Sequence, residues 1–156
     1  DLKISKKIIE KTIPKLIFVG RFQFLKKGKI KNKLYKNEKV MIDGAHATAD
    51  AKNLANYLKT IKLPKYGVWS MTKNKEPDLF IKQFKNVFKK LVTMPIEREN
   101  NSVSANELNR IALKNKINSE VGVDLTDALK KISNKEKKII VFFGSLYNCG
   151  NILNQN

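Results

Sequence analysis

Cysteine and histidine occur once each, as Cys149 and His46. A single thiol excludes an internal disulfide and fits a reducing, cytoplasmic compartment. One thiol and one imidazole also fall short of a zinc cluster, so no metal site is expected within the chain. No apolar run approaches the roughly 18–20 residues that a membrane-spanning helix needs. Residues 2–13 are lysine-rich and lack the long apolar centre of a signal peptide. Arginine is confined to Arg21, Arg98 and Arg110. Neither a Gly-x-x-x-x-Gly-Lys-Ser/Thr loop nor a Gly-x-Gly-x-x-Gly fingerprint is present, so the chain has no phosphate loop of its own. It opens on Asp1 rather than methionine, as expected of a fragment or a processed chain.

What remains is a chain of 156 residues that is 42% hydrophobic, enough for one globular domain with a real core. Its formal charge is +18 and its pI is near 10.0. That balance by itself suits a polyanion partner. The lysines, however, are spread over the whole sequence. Specific readers of nucleic acid rely on Arg forks and aromatic platforms, so composition argues against that partner.

Lysines alternate with Ile4, Ile8, Ile9 and Ile13 in the first stretch. This predicts a short helix capped by Ser5 and ended by Pro14, within a leader covering residues 1–15. The domain proper is expected over 16–156. A strand is predicted at 22–25, a hairpin turn around Gly28 at 26–33, and a strand at 39–43. A helix follows at 48–60, with apolar residues at 51, 54, 55 and 58 on one stripe. Further strands are expected at 66–71 and 91–96, either side of a helix at 78–90. Ser104 and Glu107 form a capping box for the next helix. A minor strand at 121–123, a helix at 125–132 and a strongly apolar strand at 139–143 precede a last helical turn at 152–153. Near-continuous apolar strands alternating with helices point to an α/β fold. The sheet should be mostly parallel, with helices on both faces and an N-terminal β-hairpin.

In such sheets, ligands sit at the carboxyl ends of the strands. Asp43-Gly44-Ala45-His46 stands there, between a strand and a helix N-terminus that favours anions. Asp-Gly is also an ordinary turn signal, so support of the turn and packing of His46 stay open as the plain alternative. Arg21 lies within an apolar stretch and needs a partner. It could form a surface ion pair or a phosphate clamp. Ser145 follows Gly144 at another strand end. The nucleophile-elbow pattern fails there because Tyr147 replaces its glycine. The tight turn would instead let N–H groups and the hydroxyl meet a carboxylate or phosphate.

Four stretches together resemble the C-terminal domain of folylpolyglutamate synthase/dihydrofolate synthase, in the Mur ligase superfamily. Phe18-Val19-Gly20-Arg21-Phe22-Gln23 is similar to that family's Trp-Pro-Gly-Arg-Phe/Leu-Gln/Glu. Asp43-Gly44-Ala45-His46 is similar to its Asp-Gly-Ala-His-Asn-Pro, with Ala47 and Thr48 in place of the last two residues. Met71 to Glu76 is similar to a Met-x-x-Asp-Lys-Asp stretch, with Asn74 in place of the first acid. Phe143-Gly144-Ser145-Leu146-Tyr147 is similar to its Gly-Ser-Leu-Tyr.

The resemblance implies a Rossmann-like fold of the Mur ligase C-terminal type. It also implies ATP-dependent amide formation between a folate or dihydropteroate carboxylate and L-glutamate. ATP and Mg2+ are the implied cofactors, with the metal held mainly by a separate N-terminal ATPase domain. That domain is the implied partner, the chain is expected to be a monomer, and alone it is expected to be inactive. Arg21, Asp43 and His46 would bind ATP, and Ser145 and His46 would bind glutamate. Lys75 and Tyr147 are further candidates, and His46 is the candidate nearest to the chemistry. The alternatives are another Mur-type amino-acid ligase domain, a basic nucleic-acid-binding module and a non-catalytic remnant.

Overall fold

The apolar runs at 40–43, 66–69, 91–93 and 139–143 become strands buried on both faces. In a computed structural model, which describes residues 4–13, 16 and 18–156, six strands form one sheet in the order β1-β2-β6-β3-β4-β5. These are β1 (Gln23–Leu25), β2 (Glu38–Asp43), β3 (Lys65–Trp69), β4 (Lys90–Thr93), β5 (Ser119–Val121) and β6 (Lys138–Phe143). Only β1 runs antiparallel; the other neighbours pair in parallel. Side chains alternate between the faces with a period of two. Met41, Ile139, Val141 and Phe143 join one core cluster, and Val40, Ile42, Ile140 and Phe142 the other.

The first face is covered by α3 (Thr48–Thr60), α4 (Pro77–Lys82) and α5 (Ala105–Lys114), through Leu54, Leu58, Phe80 and Leu108. The second is covered by α6 (Leu125–Ile132) and α7 (Leu146–Gln155), through Leu125, Leu129 and Ile152. No helix among the described residues is long and apolar enough to cross a membrane.

Caps set several of these boundaries. Ser5 accepts from the Ile8 N–H at the start of α1 (Lys6–Thr12), and Ser104 accepts from the Glu107 N–H at the start of α5. α1 buries none of its residues, while Pro14, the expected stop of the leader, lies outside the described residues.

Six sequence expectations are corrected. The predicted hairpin turn at 26–33 is a longer connection carrying one helical turn, α2 (Lys29–Asn32), because Ile30 is drawn into the core. The helix expected at 78–90 stops after Lys82, and Asn86 adopts a φ of 61°. Phe84, Val87 and Phe88 still enter the core, so their spacing reported burial rather than helix. The strand ends expected at 71 and 96 fall at Trp69 and Thr93, and the minor strand is β5 at Ser119–Val121. The last helical turn is a ten-residue helix, α7. A Cβ on Gly150 would meet nothing within 4 Å, so the helix passes through that position without a packing demand.

At the amino ends of the strands, Glu38 and Lys138 face each other in register and are both fully buried. Lys138 Nζ lies 3.4 Å from Glu38 Oε1, donates to the Ile132 carbonyl at 2.6 Å and sits 4.3 Å from the centre of the Tyr66 ring. Glu38 accepts from the Tyr35 N–H (3.0 Å), the Asn134 N–H (3.0 Å) and the Ser133 hydroxyl (2.7 Å). Both charges are satisfied, which a buried pair requires.

Removing either partner alone, as Glu38→Gln or Lys138→Met, is expected to cost about 3–5 kcal/mol. The double variant should cost less than the two singles together, measured as urea unfolding midpoints. Additive losses would contradict the coupling. On α7, burial pushes the Cys149 thiol up from 9.0 to about 12, with the Asp43 charge adding to the effect. An unfolded thiol ionises while the native one stays protonated, so its contribution to stability falls as pH rises from 9.0 towards about 12. Native protein at pH about 9 should therefore resist a disulfide-exchange reagent, and denatured protein should react at once. Prompt labelling of the native chain would contradict the burial.

Candidate functional site

Three strands that are neighbours in the sheet end at one rim. Asp43 closes β2 and lies opposite Phe143 of β6, which in turn lies opposite Trp69 of β3. The loops after 43, 69 and 143 therefore emerge side by side. They carry residues more than a hundred positions apart in the chain.

Asp43 is buried, and both its oxygens are engaged. Oδ2 accepts from the Phe22 N–H and Oδ1 from the Ala45 N–H, each at 2.8 Å. Burial raises its carboxyl above the ordinary 3.8, as does the nearby Asp50 charge, while the two N–H groups and the Arg21 guanidinium pull it back down. Arg21 Nη1 lies 3.9 Å from Asp43 and 3.8 Å from Asp50 Oδ2. The Gly20 carbonyl accepts from the Gly44 N–H at 2.6 Å, and Phe22 takes a φ of 44° with its ring edge-on to Tyr57 at 4.8 Å. Asp43 thus fastens the Gly20-Arg21-Phe22 turn to the end of β2. Of the two readings of Arg21, the ion pair is present; the guanidinium is about one-third exposed and still faces solvent.

His46 Nδ1 lies 2.8 Å from the Gly44 carbonyl. A carbonyl can only accept, so Nδ1 carries the hydrogen and Nε2 is left for a ligand. Nε2 is an acceptor in the neutral ring and a donor in the charged one.

Ser145 caps the first turn of α7, accepting from the Asn148 N–H at 3.4 Å. Its hydroxyl proton is not used by that cap. Gly144 before it has a φ of 103°, and a Cβ there would collide with the Ser70 carbonyl and the Trp69 ring. A Cβ on Gly44 would strike the Leu146 side chain. Gly144 thus lets the β6 turn approach the end of β3, and Gly44 lets the β2 turn approach the start of α7.

A cleft of about 440 Å³ opens on this rim, and His46, Lys75, Ser145 and Tyr147 all line it. A smaller recess of about 260 Å³ continues between His46 and Lys75. The structure thus brings together four of the six sequence-predicted residues in one cleft. Arg21 and Asp43 stand outside it, on the β1 side of His46. Thr72, Asn74, Glu99, Asn101 and Leu146 complete the wall. Glu99 and Asn101 were not foreseen, because they lie in a polar loop with no pattern of its own. That loop reaches the site through a bridge between Thr72 and Ser102 and a bond from the Lys73 N–H to the Asn101 carbonyl at 2.7 Å. Asp50 was missed as well; its place in the first turn of α3 reads only as a favourable helix start. Among the described residues no three His, Cys, Asp or Glu side chains cluster to hold a metal ion.

Residues 26–155 match the family model for the dihydrofolate synthetase C-terminal domain. No curated protein matches the chain by sequence. Among solved structures, the chain is similar to E. coli FolC in complex with DHPP and ADP, with a TM-score of 0.77 at 19% identity over 98% of this chain and 34% of that one. It is also similar to a bifunctional folylpolyglutamate synthase/dihydrofolate synthase with Mn, AMPPNP and L-glutamate bound. There the TM-score is 0.74 at 18% identity, over 99% of this chain and 35% of that one. For the folylpolyglutamate synthase of Thermotoga maritima the TM-score is 0.72 at 24% identity, over 98% of this chain and 34% of that one. These likenesses establish a shared fold, and the chain spans about a third of the length of those proteins. By the family match over most of its length, the chain belongs to the dihydrofolate synthetase C-terminal domain family.

Proposed function

We propose that the chain is the C-terminal domain of an ATP-dependent ligase that joins L-glutamate to the carboxylate of dihydropteroate or a folate. The observation that carries this reading is the convergence of His46, Lys75 and Ser145 on one cleft beside the Arg21 turn. The relatives crystallised with ADP and DHPP, and with AMPPNP and L-glutamate, support it.

In the proposed reaction a carboxylate oxygen of the pterin substrate attacks the γ-phosphorus of ATP, and ADP leaves. The amine of glutamate then attacks the acyl phosphate carbon. Inorganic phosphate departs, and the amine gives up a proton. Arg21 presents a planar cation to the nucleotide phosphates, held in direction by Asp43 and Asp50. Asp43 serves the nucleotide site through the turn it holds. His46 stands between the two substrates, with Nε2 towards the cleft. Ser145 offers its hydroxyl proton, at the positive end of α7, to a glutamate carboxylate. Lys75 adds positive charge where phosphate charge develops, and Tyr147 offers a hydroxyl at the cleft mouth. The phosphate loop and Mg2+, which offsets charge on the β- and γ-phosphates, are assigned to the ATPase domain.

On this reading the purified chain turns over no ATP, and adding a separately expressed ATPase domain of a family member restores ligation. Measurable ligase activity of the chain alone would contradict the division of labour. In a full-length ligase carrying this domain, Ser145→Ala should raise the KM for glutamate about tenfold, the loss of one hydrogen bond to a charged group, and leave the KM for ATP unchanged. Arg21→Ala should instead lower kcat, by about 10²–10³, because the charge it meets develops in the transition state. Steady-state kinetics with each substrate varied in turn separates the two.

A further inference from the structure

Resting on the function proposed above, the cleft has one feature that nucleotide and carboxylate binding do not use. Among the described residues Glu99 is the only carboxylate lining the larger cleft, while Glu76 lines the smaller recess beside His46 and Lys75. Glu99 is half-buried, and its place is set from both sides. Arg98 before it takes a φ of 59°. The Ser102 N–H donates to the Glu99 carbonyl at 3.0 Å, and the Ser102 hydroxyl accepts from the Ile96 N–H at 2.8 Å. Glu99 Oε1 accepts from the Asn101 N–H at 2.9 Å. Oε2 has no partner among the described residues, and neither Glu99 nor Lys75 forms an ion pair among them. In a chain of charge +18, lysine partners for a surface acid are abundant. This acid instead faces a cleft that also holds His46, Lys75 and Ser145.

An amino diacid presents two carboxylates and one ammonium. Lys75 and Ser145 can answer the first two groups, and the neutral His46 ring can accept from an ammonium at Nε2, but none of the three offers it an opposite charge. A carboxylate does, through a charge-assisted hydrogen bond. We propose that Glu99 receives the α-ammonium of the incoming amino acid through Oε2, so that the cleft selects an amino-bearing diacid over a plain one.

The test compares L-glutamate with glutarate, which carries the same two carboxylates and no amine. Both are titrated into the 15N-labelled chain while the amide signals of Lys75 and Ser145 are followed. L-Glutamate is expected to bind about tenfold tighter than glutarate, the scale of one charge-assisted contact. Glu99→Gln keeps an oxygen for the Asn101 N–H and removes only the charge. It should bring the two affinities together by weakening L-glutamate and leaving glutarate unchanged. Equal binding of the two diacids by the unaltered chain overturns the role of Glu99 and leaves glutamate in the cleft. So does a preference that survives Glu99→Gln, or an equal loss of both ligands. If neither diacid moves the cleft signals, the placement of glutamate falls first, and Glu99 with it.

Discussion

The insertion of β6 between β2 and β3 is the constraint on which the site depends. Chain order alone would set the third strand beside the second. Instead the last strand fills that slot, hydrogen-bonded in parallel to both. Its carboxyl end therefore lies between theirs. The Gly-Ser turn after β6 meets the Asp-Gly-Ala-His turn after β2 on one side and the 70–76 loop on the other. Crossover helices cover both faces, so the ends of the strands are where backbone and polar side chains can face a ligand.

The rim is held by groups already used in folding. Asp43 spends both oxygens on the N–H groups of Phe22 and Ala45, which joins the Arg21 turn to β2. Ser145 caps α7 and His46 is oriented by the Gly44 carbonyl. These contacts leave unused a hydroxyl proton of Ser145, a ring nitrogen of His46 and an edge of the Arg21 guanidinium. Fixing the direction of such groups before a ligand arrives lowers the reorganisation that binding or chemistry requires. Turn support by Asp43 and orientation of His46 are both present, and the same contacts fix the direction of the groups that the proposed function uses.

At the opposite end of the same two strands, Glu38 and Lys138 make the buried pair. Pairing them in register leaves no buried charge alone only when β2 and β6 are neighbours. A slip of one residue would separate the charges and turn every core side chain to the other face. We read the pair as a register lock for the strand insertion that builds the rim.

Much of this was legible from local pattern. The helix stripe at 51–58, the caps at Ser5 and Ser104 and the apolar strand at 139–143 each record how a residue meets others a few positions away, which periodicity reports directly. The four short motifs also marked the strand ends where polar groups gather. Three things depended on the fold in space. α4 stops after Lys82 although Phe84 and Phe88 stay in the core, and the chain turns through Asn86 before β4. Glu38 with Lys138, and Glu99 with the cleft, meet only once β6 is inserted and the 97–102 loop bridges to Thr72. The sequence by itself determined which segments are buried and which ends are polar. Which segments become neighbours was decided by packing two faces of one sheet, a choice made by contacts between residues distant in the chain.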